Sequence, residues 1–427
     1  MLRADEVYTC QLRGEDSTFV RFNRGKVGQA GEVHQRQLDI DLIRGRRHAR
    51  GAFNTTGILA ADLARLARLF DRLREMREAS SQDPLLDYNT DLAASSEVLA
   101  EDRLPSGDAV LEVVASVAQG ADLVGIYASG GVHRGFASSL GQRNWHSSFN
   151  FNFDWSVFEG SDAAVKSGYA GVDWAADAVA ERIRRSREDL RVLCQPRRRV
   201  APGQYRVYLA PAALNEVFSV LGWDGFGLRG WKAGTSPLQR LHNGENHLDE
   251  RIEISEDIGN GAAPRFDGSG FPRPDIVPLV RRGRVAGHLV SSRSGREFGV
   301  PNNGANPSEA PTSLDVGAGE IDSDSILDRL HTGLLVSNFW YLNFSDRNAC
   351  RTTGMTRFAT LWVENGRVQG PVAAMRFDDT PYRMLGSCLV GLTRQRDWIL
   401  DPDTYEWRST KSARLPGALV DDFSLTL

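Results

Sequence analysis

Asn365-Gly366, lying between two runs that alternate in the manner of β-strands, constrains the fold of this chain more than any other short feature. A type I′ turn needs positive φ at both central residues, and this pair tolerates it best. Before the turn, Thr356 to Val363 places Phe358, Thr360 and Trp362 on one face and Ala359, Leu361 and Val363 on the other, the period of two that a pleated strand imposes. After it, Arg367 to Phe377 reads as the return strand. Upstream, Leu334 to Phe344 is a longer apolar run, joined to Thr356 by the polar loop from Ser345 to Gly354. Three strands are therefore expected over this stretch.

The first part of the chain has a different texture. Phe19 to Phe22, Val27 to Val33, Leu38 to Ile43 and Arg47 to Phe53 are expected as short strands, and a helix capped by Thr55 or Thr56 follows, its stripe formed by Leu59, Leu63, Leu66, Phe70 and Leu73. Its arginines Arg65, Arg68, Arg72 and Arg74 are interspersed with acids and are read as a solvated face. A second helix is expected over Asp108 to Gln119, then a meander of Leu123 to Tyr127, Val132 to Ser138 and Trp145 to Trp155, with Ser129-Gly130-Gly131 and Gly141-Gln142 as turns. Phe149 to Trp155 sets aromatics two apart, which puts them on one strand face as core rather than as a base-stacking platform. A third helix spans Ala175 to Leu193, with Val179, Ile183, Leu190 and Leu193 buried.

Cys194 to Gly203 holds two prolines, the run Arg197-Arg198-Arg199 and a glycine, and is expected to be an exposed linker. The fold class is thus α+β: an N-terminal α/β domain over residues 1–196, built from an antiparallel sheet with helices, and a β-rich C-terminal domain over residues 203–427. The second domain opens with a strand from Tyr205 to Leu209 and a helix from Pro211, a residue suited to the first helical turn. Further strands are expected at Ile252 and Ile254, at the hairpin of Ile276 to Val280 with Val285 to Val290, and near Leu314. The glycines of Gly222 to Gly234 do not sit between a strand and a helix, so no dinucleotide site is read from them.

With 427 residues, 41% of them hydrophobic, the chain has enough apolar material for two domains. Its net charge of −4 gives no global attraction to nucleic acid or a membrane surface, although Arg44-Gly-Arg-Arg-His48 is a local basic patch. Its charged start, MLRADEVYTC, lacks the apolar core of a secretory peptide, and no stretch nears the roughly 20 apolar residues that span a bilayer. Cytoplasmic residence and reduced thiols are expected, because Cys10, Cys194, Cys350 and Cys388 form no CxxC pair.

The order of strand, polar loop with Thr353-Gly354, strand, Glu364-Asn365-Gly366 turn and strand resembles the C-terminal domain of the TldD/PmbA (TldE) family, which includes zinc peptidases and their metal-free partner subunits. Zinc-bearing members carry His-Glu-x-x-x-His near the start of that domain, two imidazole ligands with a glutamate acting as general base on the bound water. At the matching place this chain reads Ala213-Leu-Asn-Glu-Val-Phe-Ser-Val220. Glu216 alone is retained, as a remnant, while Asn215 and Val220 replace the histidines, and neither an amide nor an isopropyl group can stand in for a neutral imidazole. The family's C-terminal cysteine ligand also has no counterpart in Tyr405 to Pro416.

The resemblance implies a subunit of the TldE/PmbA kind, without catalytic residues or metal of its own. It would belong to a cytoplasmic metalloprotease complex that processes or degrades unstructured peptides. Zinc is expected in a TldD-like partner, with which this chain would form a heterodimer, a homodimer being the other assembly considered. No nucleic-acid or membrane partner is expected. Arg351, Thr353 and Arg357, which border the loop between two core strands, are the candidate peptide-binding residues. Two alternatives belong to other classes: a non-enzymatic interaction module of the gyrase-modulator kind, and an autonomous zinc peptidase seeded by His242 and His247. In that pair Glu245 comes three residues after His242, Gly244 and its asparagine neighbours favour a turn, and Asp249 or Glu250 would have to be recruited. Both histidines are therefore expected on a surface loop.

Overall fold

The computed structural model describes residues 2–160 and 163–427. The first sheet is made of β1 (Val7–Asn23), β2 (Lys26–Arg44), β3 (Arg47–Asn54), β4 (Ser96–Leu99), β5 (Asp122–Ser138), β6 (Arg143–Glu159) and β7 (Ala163–Gly171). Its order is β3-β2-β1-β5-β6-β4, with β7 also paired to β6. Helices α1 (Leu59–Ala79), α2 (Gly107–Val117) and α3 (Ala176–Leu193) pack on it. The fold class is α+β. Among the described residues no helix is long and apolar enough to cross a membrane.

The long strands differ from the short ones that local sequence suggests. Val27 to Val33 and Leu38 to Ile43 are one strand, β2, because the polar residues between them are held by partners on β1. Arg36 pairs with Asp16, His34 Nδ1 lies 2.9 Å from Asp16 Oδ1, and Gln35 Nε2 donates to Glu15 at 3.1 Å. Cross-strand polar pairs thus carry the ladder where apolar alternation lapses. Ser129-Gly130-Gly131 is likewise no turn but the middle of β5, opposite Asp16 to Thr18. Gly130 has φ 129°, and a Cβ there would sit 2.1 Å from the Asp16 carbonyl oxygen, so glycine is required for β1 to approach.

Helix α3 buries Val179, Ile183, Leu190 and Leu193, the four residues of its expected stripe. In α1 only the C-terminal half does so. Phe70 and Leu73 are buried against Ile40, Leu42 and Ala49, whereas Leu59 and Leu63 stay exposed because the small cluster under the helix does not extend to its first turns. Thr56 does not cap this helix directly; its hydroxyl and backbone N–H both bond to Asp62 in the first turn, at 2.8 Å. Phe151, Phe153 and Trp155 are buried with α2 and α3, while Asn150 and Asn152, on the opposite face of β6, are buried too.

The second sheet contains β8 (Gly203–Leu209), β9 (Ile254–Asp257), β10 (Ile276–Arg281), β11 (Arg284–Val285), β12 (Ser313–Val316), β13 (Gly333–Asp346), β14 (Arg351–Glu364), β15 (Arg367–Pro371), β16 (Met375–Asp379), β17 (Leu389–Leu400) and β18 (Ser412–Leu425). Strand β8 pairs with both β13 and β18, which closes β8, β13, β14, β16 and β18 into a ring. Phe339, Phe377 and Phe423 meet in its core, with ring centroids 4.4 to 6.0 Å apart. Short helices α4 (Pro211–Leu221), α5 (Leu228–Lys232), α6 (Gln239–His242), α7 (Ser292–Phe298) and α8 (Ile326–Leu330) punctuate the chain between strands.

The Asn365-Gly366 turn forms with φ of 51° and 72°. The return strand is broken in two, β15 and β16, after Pro371, which lacks the N–H a ladder needs. Arg198 enters the gap: its N–H donates to the Pro371 carbonyl at 2.8 Å and its carbonyl accepts from Ala373 at 3.0 Å. Its guanidinium also lies 4.5 Å from the Trp362 ring centroid, so the arginine run, although exposed, joins the sheet edge rather than standing free.

Candidate functional site

Helix α4 carries Asn215, Glu216 and Val220, the residues compared with the metal motif in the sequence. Pro211 occupies its first turn, and Ala213, Leu214, Val217, Phe218, Val220 and Leu221 form a buried face against β13 and β18. Asn215, Glu216 and Ser219 remain on the half-buried side. Val220 is only 4% exposed. Burial raises the Glu216 carboxyl above the usual range, and the charge acting against that rise is Lys166 of β7. Lys166 also acts on Asp154 of β6, whose carboxyl is pushed up to about 6 by burial while accepting the Asn152 amide at 2.6 Å.

This arrangement supplies two carboxyl groups whose ionisation burial opposes, and one amine. It supplies no imidazole or thiolate. Among the described residues no group of three or more His, Cys, Asp or Glu side chains is placed to hold a metal ion. A zinc ion of the peptidase kind therefore does not fit α4, because its donors there are one amide, one partly desolvated carboxyl and an apolar side chain.

The loop between β17 and β18 is anchored by Arg408. This side chain is 3% exposed and enters the polar face of the first sheet. It donates to the Asn150 carbonyl at 2.8 Å, the Gly130 carbonyl at 3.2 Å and the Ser17 hydroxyl at 3.3 Å, while its backbone N–H donates to Glu15 at 3.1 Å. Burial lowers its guanidinium to about 10, partly offset by Glu15. Local sequence gives no sign of this anchor. The indirect sign is that Ser17, Ser129, Asn150 and Asn152, polar residues on long strands, are all buried and so need a polar cover.

Arg351, Thr353 and Arg357 all lie on β14 but have different surroundings. Arg351 pairs with Asp378 at 3.2 Å and lines an open cleft. The Thr353 hydroxyl donates to the Phe377 carbonyl at 2.8 Å and accepts from Arg376 at 2.9 Å. Arg357 lies over the ring of Trp340, 4.6 Å from its centroid.

His242 and His247 do not form a joint site. His242 ends α6 half-buried rather than on a surface loop, because its Nε2 bonds the Gly225 carbonyl at 2.8 Å and its ring stacks on His288. His247 is exposed on the cleft wall. Asp249 is engaged by Arg251 at 2.7 Å and Glu250 by Arg282 at 2.8 Å, so neither carboxylate turns toward the imidazoles. The partner that sequence did not disclose is His288, whose Nε2 lies 3.2 Å from His242 Nδ1.

Residues 202–427 match the PmbA/TldA metallopeptidase C-terminal domain. The fold is similar over 99% of the chain to the crystal structure of TldE from Thermococcus kodakarensis, with a TM-score of 0.80, 13% identity and 97% of that chain covered. It is also similar to a protein from Thermotoga maritima described as a candidate modulator of a DNA gyrase, with a TM-score of 0.76, 13% identity and 99% and 96% of the two chains covered. A candidate gyrase modulator from Bacteroides thetaiotaomicron gives a TM-score of 0.75 at 14% identity, with 99% and 94% covered. No curated protein matches the sequence. The family match spans more than half of the chain, so this protein belongs to the TldD/PmbA family.

Proposed function

We propose that this chain is the metal-free subunit of a TldD/TldE-like cytoplasmic metalloprotease complex that processes or degrades unstructured peptides. The observation that carries the reading is the α4 donor set. On this reading Asn215 and the buried Val220 stand where zinc-bearing members carry imidazoles, and since neither side chain can replace a neutral imidazole, Glu216 would have no zinc-bound water to activate. The hydrolytic centre then belongs to a TldD-like partner, and this chain completes the chamber around it. An extended peptide bound by main-chain hydrogen bonds to a strand edge would be selected for disorder rather than sequence. The test is reconstitution: the purified chain, a TldD-like chain and the two together are each given casein. Cleavage that the pair performs and this chain alone does not is the expected result. Chelator-sensitive cleavage by this chain alone would overturn it.

A further inference from the structure

A cleft of about 1120 Å³ opens between the loop after α6, the β10–β11 hairpin, the start of β14 and a π-helical turn at Arg383–Ser387. Its walls are fixed. In the hairpin turn, Arg282 and Gly283 have φ of 47° and 70°, and Gly283 accepts from Leu248 N–H at 2.9 Å while donating to the Ile252 carbonyl at 3.0 Å. A Cβ at Gly283 would lie 2.1 Å from the Leu248 carbonyl oxygen, so the turn is pressed directly onto the opposite wall. Asp249 N–H donates to the Leu385 carbonyl at 2.9 Å and ties that wall to the π-helical turn.

The lining contains Arg240, Arg281, Arg282, Arg284, Arg351 and Arg383. Half of these charges are matched: Arg282 by Glu250 at 2.8 Å, Arg351 by Asp378 at 3.2 Å and Arg383 by Asp379 at 3.0 Å. The exposed side chains of Arg240, Arg281 and Arg284 make no hydrogen bond or ion pair among the described residues. Of the lining carboxylates, Asp249 is engaged by Arg251, which leaves Glu245, itself accepting the Asn243 amide at 3.0 Å.

We propose that this cleft binds an acidic, extended polypeptide segment, whose carboxylates are taken by the guanidinium groups of Arg240, Arg281 and Arg284. Forked guanidinium donors match carboxylate geometry, and here the β10–β11 hairpin presents Arg281 and Arg284, and α6 presents Arg240, each without an internal partner among the described residues. The cleft exceeds the usual range of a small-ligand pocket and has room for several residues. Its wall also carries Glu245 and the Glu250–Arg282 pair, which would repel an unbroken phosphodiester backbone, whereas a peptide can place neutral residues there. Binding at this place needs neither a metal nor a partner chain, so it stands or falls separately from the metalloprotease reading.

The experiment is fluorescence anisotropy of labelled octaglutamate with the full chain at low salt, about 50 mM, where exposed charges act over the longest range. The combined change Arg240→Gln, Arg281→Gln and Arg284→Gln is expected to weaken binding about tenfold or more. Arg65→Gln, Arg68→Gln and Arg72→Gln on α1 remove the same charge elsewhere and are expected to leave affinity within about twofold. Absence of binding to the unmodified chain, equal loss in both triple variants, or tighter binding of an oligothymidylate of matched charge would each overturn the proposal. Should the first variant lose its fold by circular dichroism, the three single changes decide: weakening in at least two supports the site, and unchanged affinity in all three removes it.

Discussion

The imidazole of His288 lies flat against the indole of Trp231, with centroids 4.6 Å apart and planes 2° from parallel. It also meets His242, 5.0 Å away, and His242 lies 5.9 Å from the same indole, so the three rings form a triangle, with Lys232 4.2 Å from the Trp231 centroid. Burial lowers His288 to about 4, and the nearby charges of His242 and Lys232 push it the same way. A histidine that is harder to protonate when folded binds fewer protons than in the unfolded chain. Its contribution is therefore present above the ordinary value of 6.5 and is lost as pH falls toward about 4. The Tm of the protein should fall between pH 6.5 and 4, and more shallowly in His288→Phe. Parallel curves for the two proteins would remove His288 from the pH dependence.

Arg408 joins the loop after β17 to the first sheet through four residues of that sheet. Arg408→Ala should cost about 3 kcal/mol or more, since it leaves the buried Asn150 and Gly130 carbonyls short of donors and removes the charge facing Glu15. Urea unfolding measures this. A loss below about 1 kcal/mol, the level of an exposed ion pair, would contradict the anchoring role.

Gly130→Ala should also destabilise, on the order of 3 kcal/mol, because the new methyl group has no space against the Asp16 carbonyl and the backbone conformation disfavours a side chain. Gly45→Ala is the comparison. Gly45 also has positive φ, but a Cβ there meets nothing within 4 Å, so its penalty should be the conformational part alone, about 1 kcal/mol. Equal unfolding free energies for the two variants would mean that the close approach of β1 and β5 contributes nothing.

What could be read in the sequence was whatever local chemistry decides. The Asn365-Gly366 turn and the stripe of α3 are such cases, because turn geometry and helical periodicity are set within a few residues. The continuity of β2 was not legible, since its middle is held by Asp16 and Glu15 on another strand. The break at Pro371 interrupts what the sequence presents as one strand from Arg367 to Phe377, and its filling by Arg198 depends on a distant segment. At the site, the half-buried face of α4 follows from its apolar spacing. The Arg408 anchor and the pairing of His242 with His288 arise from long-range packing, with no local pattern to announce either.

The central claim is that α4 of this chain cannot hold the family's zinc. Protein prepared without a histidine tag and dialysed against zinc should, by plasma mass spectrometry, retain well under one equivalent of metal per chain, and Glu216→Ala should leave that value unchanged. Retention of about one equivalent of zinc, lost on Glu216→Ala with the fold preserved, would show a metal site on this helix and contradict the account.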